Sequence, residues 1–136
     1  MQTNVFARIA SHEESAHIVW EDDSVVAFLD SHPHTVGHTL VIPRANVDKW
    51  TDLDEVTAAH VFISAQRIGR VLIDIYGAQR AGLLIAGYHV THAHLHVFPS
   101  NGLEDFDFTR LPPEADGADL IRESARIRTA LSHAGN

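Results

Sequence analysis

The chain has 136 residues, 45% of them hydrophobic and 21% charged, a balance that builds a packed core and argues against disorder. Its formal net charge is −8, with Lys49 the only lysine and no basic run, which argues against gripping a nucleic-acid backbone. Cysteine is absent, so neither disulfides nor a cysteine zinc site are available. No signal-like or membrane-spanning apolar run is present, which makes a reducing cytoplasm the expected compartment and one domain over 1–136 the expected organisation.

Val5–Ala10 is a short amphipathic segment with Phe6 and Ile9 on one helical face. Polar residues fill 11–17, and Ile18–Trp20 reads as a strand stopping at the turn Glu21-Asp22-Asp23. Val25–Leu29 is a stronger strand, ended by Asp30; Ser31–Gly37 is a turn, and Gly37–Pro43 is the next strand, closed by its proline. Three apolar strands in succession predict an antiparallel meander. Asp52 and Glu55 are placed to cap and box the start of one long helix. In it Ala58, Phe62, Ala65, Gly69, Leu72, Ile73 and Tyr76 share a face, and Gly77 is the stop. Ala81–Ala86 reads as a further strand, joined through a tight Gly87–Thr91 hairpin to residues 92–98, which Pro99 ends. The segment 100–113 is loop-like, with Phe106 and Phe108 as packing anchors, and a last helix from about Asp116 carries Leu120, Ile127, Ala130 and Leu131. The predicted class is α+β, an antiparallel sheet of about five strands with one long helix and a C-terminal helix.

The most informative stretch is His92-Ala93-His94-Leu95-His96-Val97-Phe98. As a strand it puts His92, His94, His96 and Phe98 on one face and Ala93, Leu95 and Val97 on the other. Three chemistries are open to such a row. It can be a solvated or hydrogen-bonded polar face. It can be a metal site, but each two-residue step along a strand is about 6.6–6.8 Å, so His92 and His96 lie about 13 Å apart at their Cα atoms. Bonds of about 2.0–2.1 Å then cannot bring all three to one ion; His94 with His92 or His96 would need a further His, Asp or Glu from elsewhere. The third chemistry is covalent catalysis at phosphorus, for which a neutral imidazole with an ordinary pKa of about 6.5 is a competent nucleophile. Neighbouring imidazoles would then position the phosphate and manage the leaving group. This last reading fits the pattern best.

The same stretch resembles the defining motif of the histidine triad (HIT) family of nucleotidyl hydrolases and transferases. The likeness extends over most of the chain: Val5–Ile9, the acidic turn Glu21-Asp22-Asp23 with Val25–Asp30, His32-Pro33, and Gly37-His38-Thr39-Leu40-Val41-Ile42-Pro43-Arg44 resemble family segments in the family's order. The resemblance implies a HIT-like fold, a homodimer, no cofactor and no metal. It implies cleavage of a nucleoside monophosphate, AMP or GMP, from a phosphoramidate, a dinucleoside polyphosphate or a related conjugate. His94 would be the nucleophile, His96 would hold the phosphate and assist the leaving group, and His92 and His38 would orient the site. Asp30 would accept the ribose hydroxyls, and Phe6, Ile9, Phe28, Ser31 and Leu40 would enclose a purine base.

Taken singly, Asp30 also suits a turn and His38 a structural role. His32 and His34 are assigned to a loop without a role, and His12, His17, His60 and His133 to the surface or to ordinary packing. The sequence departs from the family pattern before the triad, where Ile85–Thr91 is short; His89, three residues before His92, either replaces the usual polar leaving-group contact or faces solvent. Two other classes stay open: a nucleotide-binding or interaction protein with vestigial catalysis, and a metal-dependent β-protein.

Overall fold

The computed structural model describes residues 4–134. The first three strands form the predicted meander: β1 (Ile18–Glu21), β2 (Val25–Leu29) and β3 (Thr39–Pro43) pair antiparallel in sequence. β4 (Arg80–Leu84) and β5 (Leu95–Ser100) complete one antiparallel sheet in the order β1-β2-β3-β5-β4. Every residue of β2 and β3 is buried, because both faces of the sheet are covered, and each strand therefore reads as an unbroken apolar run.

The two faces have different covers. Val25, Ala27, Leu29, Val41, Leu95 and Val97 meet α2 (Glu55–Tyr76) and α3 (Gly117–Ala134), whose Val61, Ala65, Ile68, Leu72, Ile127 and Leu131 complete that core. On the other face Val26, Phe28, Leu40 and Ile42 pack under α1 (Val5–Ala10) through Phe6, Ile9 and Ala10. α1 is short, and Asn4 caps it by accepting a hydrogen bond from the Ala7 N–H at 2.7 Å. This second, thinner layer leaves part of the sheet open, and the histidines lie there.

Four sequence expectations are corrected. The cap of α2 is Asp54, whose carboxylate accepts from Thr57 N–H at 2.7 Å; Asp52 ends a 3₁₀ turn, and Glu55 begins the helix, so no capping box forms. The buried stripe of α2 is centred on Val61, Ala65, Ile68 and Leu72, while Phe62 is 54% exposed. The helix carries two apolar stripes, and the sheet takes only one. Residues 85–94 form a loop with Gly87 at φ +84, not a tight hairpin. Finally, β5 starts at Leu95 and runs through Pro99 to Ser100. Pro99 is tolerated because pairing with β3 ends at Val97; beyond it the Pro99 carbonyl accepts from Thr35 Oγ1 at 2.8 Å, and no strand there asks for an N–H.

Gly37 shows how closely the approach to β3 is specified. Its φ is +95, and an added Cβ would stand 2.5 Å from the Tyr76 ring, which is itself held by the Tyr76 hydroxyl donating to Glu123 at 2.5 Å. Gly37→Ala is expected to destabilise the fold by about 1–3 kcal/mol, read as a lowered urea midpoint.

Candidate active site

Residues 92–94 are held by the segment after β3 rather than by a strand ladder. Ala93 N–H donates to the Val47 carbonyl at 2.7 Å, and His92 Nε2 donates to the Pro43 carbonyl at 2.8 Å. A carbonyl only accepts, so Nε2 of His92 carries the proton, and its Nδ1 is buried without a partner among the described residues. Residues 92–94 therefore precede the strand instead of forming its first half. Leu95 and Val97 still face the α2 core, as the alternation requires.

The tautomers of the remaining histidines follow from their partners. His94 Nδ1 lies 2.7 Å from the His92 carbonyl and must donate to it, which leaves Nε2 as its lone-pair nitrogen. His38 Nδ1 accepts from the His34 backbone N–H at 3.0 Å, so the His38 proton sits on Nε2. That proton is donated across 3.0 Å to His96 Nδ1, which in turn places the His96 proton on Nε2. One backbone N–H thus sets the state of two imidazoles in series.

Burial keeps the group uncharged. His38 is pushed down to about 2 by desolvation and by His96, His34 and His94 around it. His96 is pushed down to about 3 by desolvation and by His94 and His34. Desolvation also lowers His92 and His94, opposed by their hydrogen bonds to carbonyls. With His38 neutral, the 3.7 Å approach of its Nε2 to Asp30 Oδ2 is not an ion pair. Burial raises Asp30, while the His32 N–H donated to its Oδ1 at 2.8 Å and the nearby imidazoles pull it back.

These shifts set a stability-versus-pH prediction. In the unfolded chain imidazoles protonate near about 6.5, whereas folded His38 and His96 stay neutral down to about 2 and about 3. Below about pH 6.5 the unfolded state binds more protons, so the stability present at neutral pH begins to be lost there and keeps falling until pH reaches the folded values of about 2 and about 3. The urea midpoint should already decline between about pH 7 and pH 5, ahead of most carboxylate titration. A flat midpoint over that interval would mean that the imidazoles are solvated.

The site opens into a cleft of about 1120 Å³. His94 and His96 line it, as do Asp30, Ser31 and His89. Phe6, Ile9, Phe28 and Leu40 form an apolar wall. His92 and His38 do not line the cleft; they stand behind His94 and His96. Phe6 meets His94 edge to face at 5.0 Å and Phe28 at 5.3 Å, joining the apolar wall to the triad.

His32, His34 and the loop after β5 also belong to the site, although the sequence reading left them without a role. His34 stacks on Phe108 at 3.7 Å and donates from Nε2 to the Asp107 carbonyl at 3.1 Å. His32 Nδ1 donates to the Pro112 carbonyl at 2.9 Å, and Ala115 N–H to the Ser31 carbonyl at 2.8 Å. These contacts make residues 107–115 a wall of the cleft and set the Phe108 ring 4.8 Å from His96. The signal available was His32-Pro33-His34, separated from Asp30 by Ser31 alone; partners far along the chain could not be read from it.

Asp30, His38 and His96 bring potential metal-ligating atoms within 4.8 Å of one another. This is not the grouping the strand geometry allowed, since His94 and His92 are outside it. It also suits a proton better than an ion. Ligation through His38 Nε2 would move its proton to Nδ1, directly against the His34 N–H.

The HIT domain matches residues 11–103. An uncharacterised HIT-like protein of Borreliella burgdorferi is 37% identical over 116 residues, 78% of this chain and 81% of that one. An adenylylsulfatase of Arabidopsis thaliana is 26% identical over 70% of this chain and 51% of its own length. A structure described as a hypothetical histidine triad nucleotide-binding protein from Sulfolobus tokodaii superposes with a TM-score of 0.82 at 26% identity, covering 94% of this chain and 91% of that one. With that match across the triad strand, the His38 segment and the Asp30 turn, the chain belongs to the HIT family.

Proposed function

We propose that the protein is a HIT-type hydrolase or transferase that cleaves nucleoside monophosphate conjugates through a covalent intermediate on His94. The family gives it a nucleotide-binding or hydrolase role. The observation that carries the finer reading is the 2.7 Å hydrogen bond from His94 Nδ1 to the His92 carbonyl, which leaves Nε2 with a free lone pair in a residue lining the cleft. In the first step that lone pair attacks the α-phosphorus; the P–N bond to His94 forms and the bond to the leaving group breaks, its electron pair departing with the leaving atom. His96 Nε2–H donates to the oxygen where charge develops. In the second step water attacks phosphorus, the P–N bond returns its electron pair to His94, and one proton of the water passes to solvent. The apolar wall of Phe6, Ile9, Phe28 and Leu40 receives the base, with a purine the favoured guest. Asp30 Oδ2 accepts the ribose hydroxyls, and Ser31 lies beside it. His89, exposed and lining the cleft, contacts the leaving group, and His92 and His38 orient their neighbours.

Two copies are expected to pair. β4 is an edge strand with Leu83 42% exposed, and α2 presents Phe62 and Ile63 to solvent at 54% and 43%. Sedimentation at micromolar concentration checks this. No helix among the described residues is long and apolar enough to cross a membrane.

The decisive experiment is intact-protein mass spectrometry after rapid quenching from an adenosine phosphoramidate or a diadenosine polyphosphate. One AMP attached to His94 is expected. Nucleotide binding with neither adduct nor turnover would favour a binding protein with vestigial catalysis, and turnover lost on chelation would favour a metal-dependent one.

A further inference from the structure

A chain of net charge −8 whose cleft is lined by Glu14, Asp30 and Glu114 has an electrostatic difficulty with phosphates. Arg110 is the only Lys or Arg among the lining residues. It is exposed and takes part in none of the ion pairs of the described residues, which engage Arg8, Arg44, Arg122 and Arg126 instead. Its neighbour Asp107 feels its charge, but Asp107 Oδ1 is already taken by the Thr109 N–H at 3.0 Å and the Thr109 hydroxyl at 2.5 Å.

Arg110 is also well placed. The loop that bears it is fastened at Asp107, Phe108, Pro112 and Ala115 to residues 31–34. Phe108 lies 4.8 Å from His96, and Arg110 follows two residues later, in the bend that Asp107 closes on Thr109, where it lines the same cleft. Its guanidinium is therefore the lysine- or arginine-type cation available to a phosphate chain within the cleft that His94 and His96 line.

A second observation points the same way. The series His34 N–H to His38 to His96 leaves no acceptor for a second proton on His96. His96 Nε2–H is therefore a hydrogen-bond donor rather than the acid of an imidazolium. Such a site favours a group that departs as a stable anion over an amine that must be protonated to leave.

We propose that Arg110 is the leaving-side specificity residue, hydrogen-bonding the anionic phosphate chain beyond the reacting phosphorus, so that nucleoside polyphosphate conjugates are preferred over phosphoramidates of uncharged amines. The proposal rests on the hydrolase reading above, and deepens it. The test compares kcat/KM for a diadenosine polyphosphate and for an adenosine phosphoramidate of an uncharged amine in the wild type, Arg110→Gln and Arg110→Lys. Arg110→Gln is expected to lower the polyphosphate value about tenfold while leaving the phosphoramidate within about twofold, and Arg110→Lys to restore most of the loss. The wild-type polyphosphate value should fall with added salt more steeply than that of Arg110→Gln. Equal losses on both substrates, or none on either, overturn the proposal. Binding is measured as well, with AMP and the diadenosine polyphosphate as titrants on the His94→Ala background. If neither substrate is turned over, the hydrolase reading fails by itself, and the binding arm still decides Arg110. A polyphosphate bound no tighter than AMP, or equally tightly with and without Arg110, overturns it; tighter binding that Arg110→Gln abolishes upholds it.

Discussion

Replacing His94 with alanine should abolish turnover, by at least about 10⁴-fold in kcat, while nucleotide binding remains measurable. The apolar wall and Asp30 are separate from the ring that is removed, so the ground-state contacts of base and ribose survive. What is lost is the Nε2 lone pair that the His92 carbonyl prepares. Single-turnover assays with calorimetric binding separate the two effects, and residual activity within about a hundredfold of wild type would place the nucleophile elsewhere. The wild-type acid limb of kcat/KM carries the same signature. Burial lowers His94 from its ordinary value, so the nucleophile stays neutral and activity stays level as pH drops through about 6.5, declining only below it.

His96→Ala should cost about 10²–10³-fold in kcat, the loss expected for one hydrogen-bond donor aimed at developing charge. His38 acts only through His96, and its test needs a different readout. His38→Ala removes the donor that holds His96 Nδ1 as an acceptor and frees that nitrogen to take a proton. Its kcat should fall less than that of His96→Ala, while the titration of His96, followed by NMR, moves up from about 3 toward the ordinary imidazole value. An unmoved titration would mean that burial alone sets His96 and that His38 is packing.

The sheet was legible because its evidence is local. The apolar runs Val25–Leu29 and Thr39–Pro43, each closed by a turn residue, declare strands whatever lies around them, and Gly77 in the left-handed region ends α2 where its missing Cβ allows. Local reasoning failed where two local answers competed. Asp52 and Asp54 both suit a cap, and the Thr57 N–H chooses the second. α2 has two apolar stripes, and only docking on the sheet buries Val61 and leaves Phe62 outside. Proline reads as a strand end at 99, yet the strand continues, because the side that lacks its N–H faces no paired strand.

The order of residues by itself, through the likeness of its segments to family segments, pointed to part of the cleft lining. Phe6, Ile9, Phe28, Asp30, Ser31, Leu40, His89, His94 and His96, which the resemblance named, line one cleft, while His92 and His38 stand behind it and the 107–115 wall was not named. Only the tertiary structure decided the protonation pattern. A tautomer depends on which group faces the other ring nitrogen, and that is fixed by folding: the turn puts the His34 N–H, four residues away, on His38, and the sheet brings His38 to His96, 58 residues away. It likewise decided that His32 and His34 fasten the 107–115 wall across 80 and 73 residues, since a hydrogen bond is fixed by approach in space and leaves no mark on spacing along the chain.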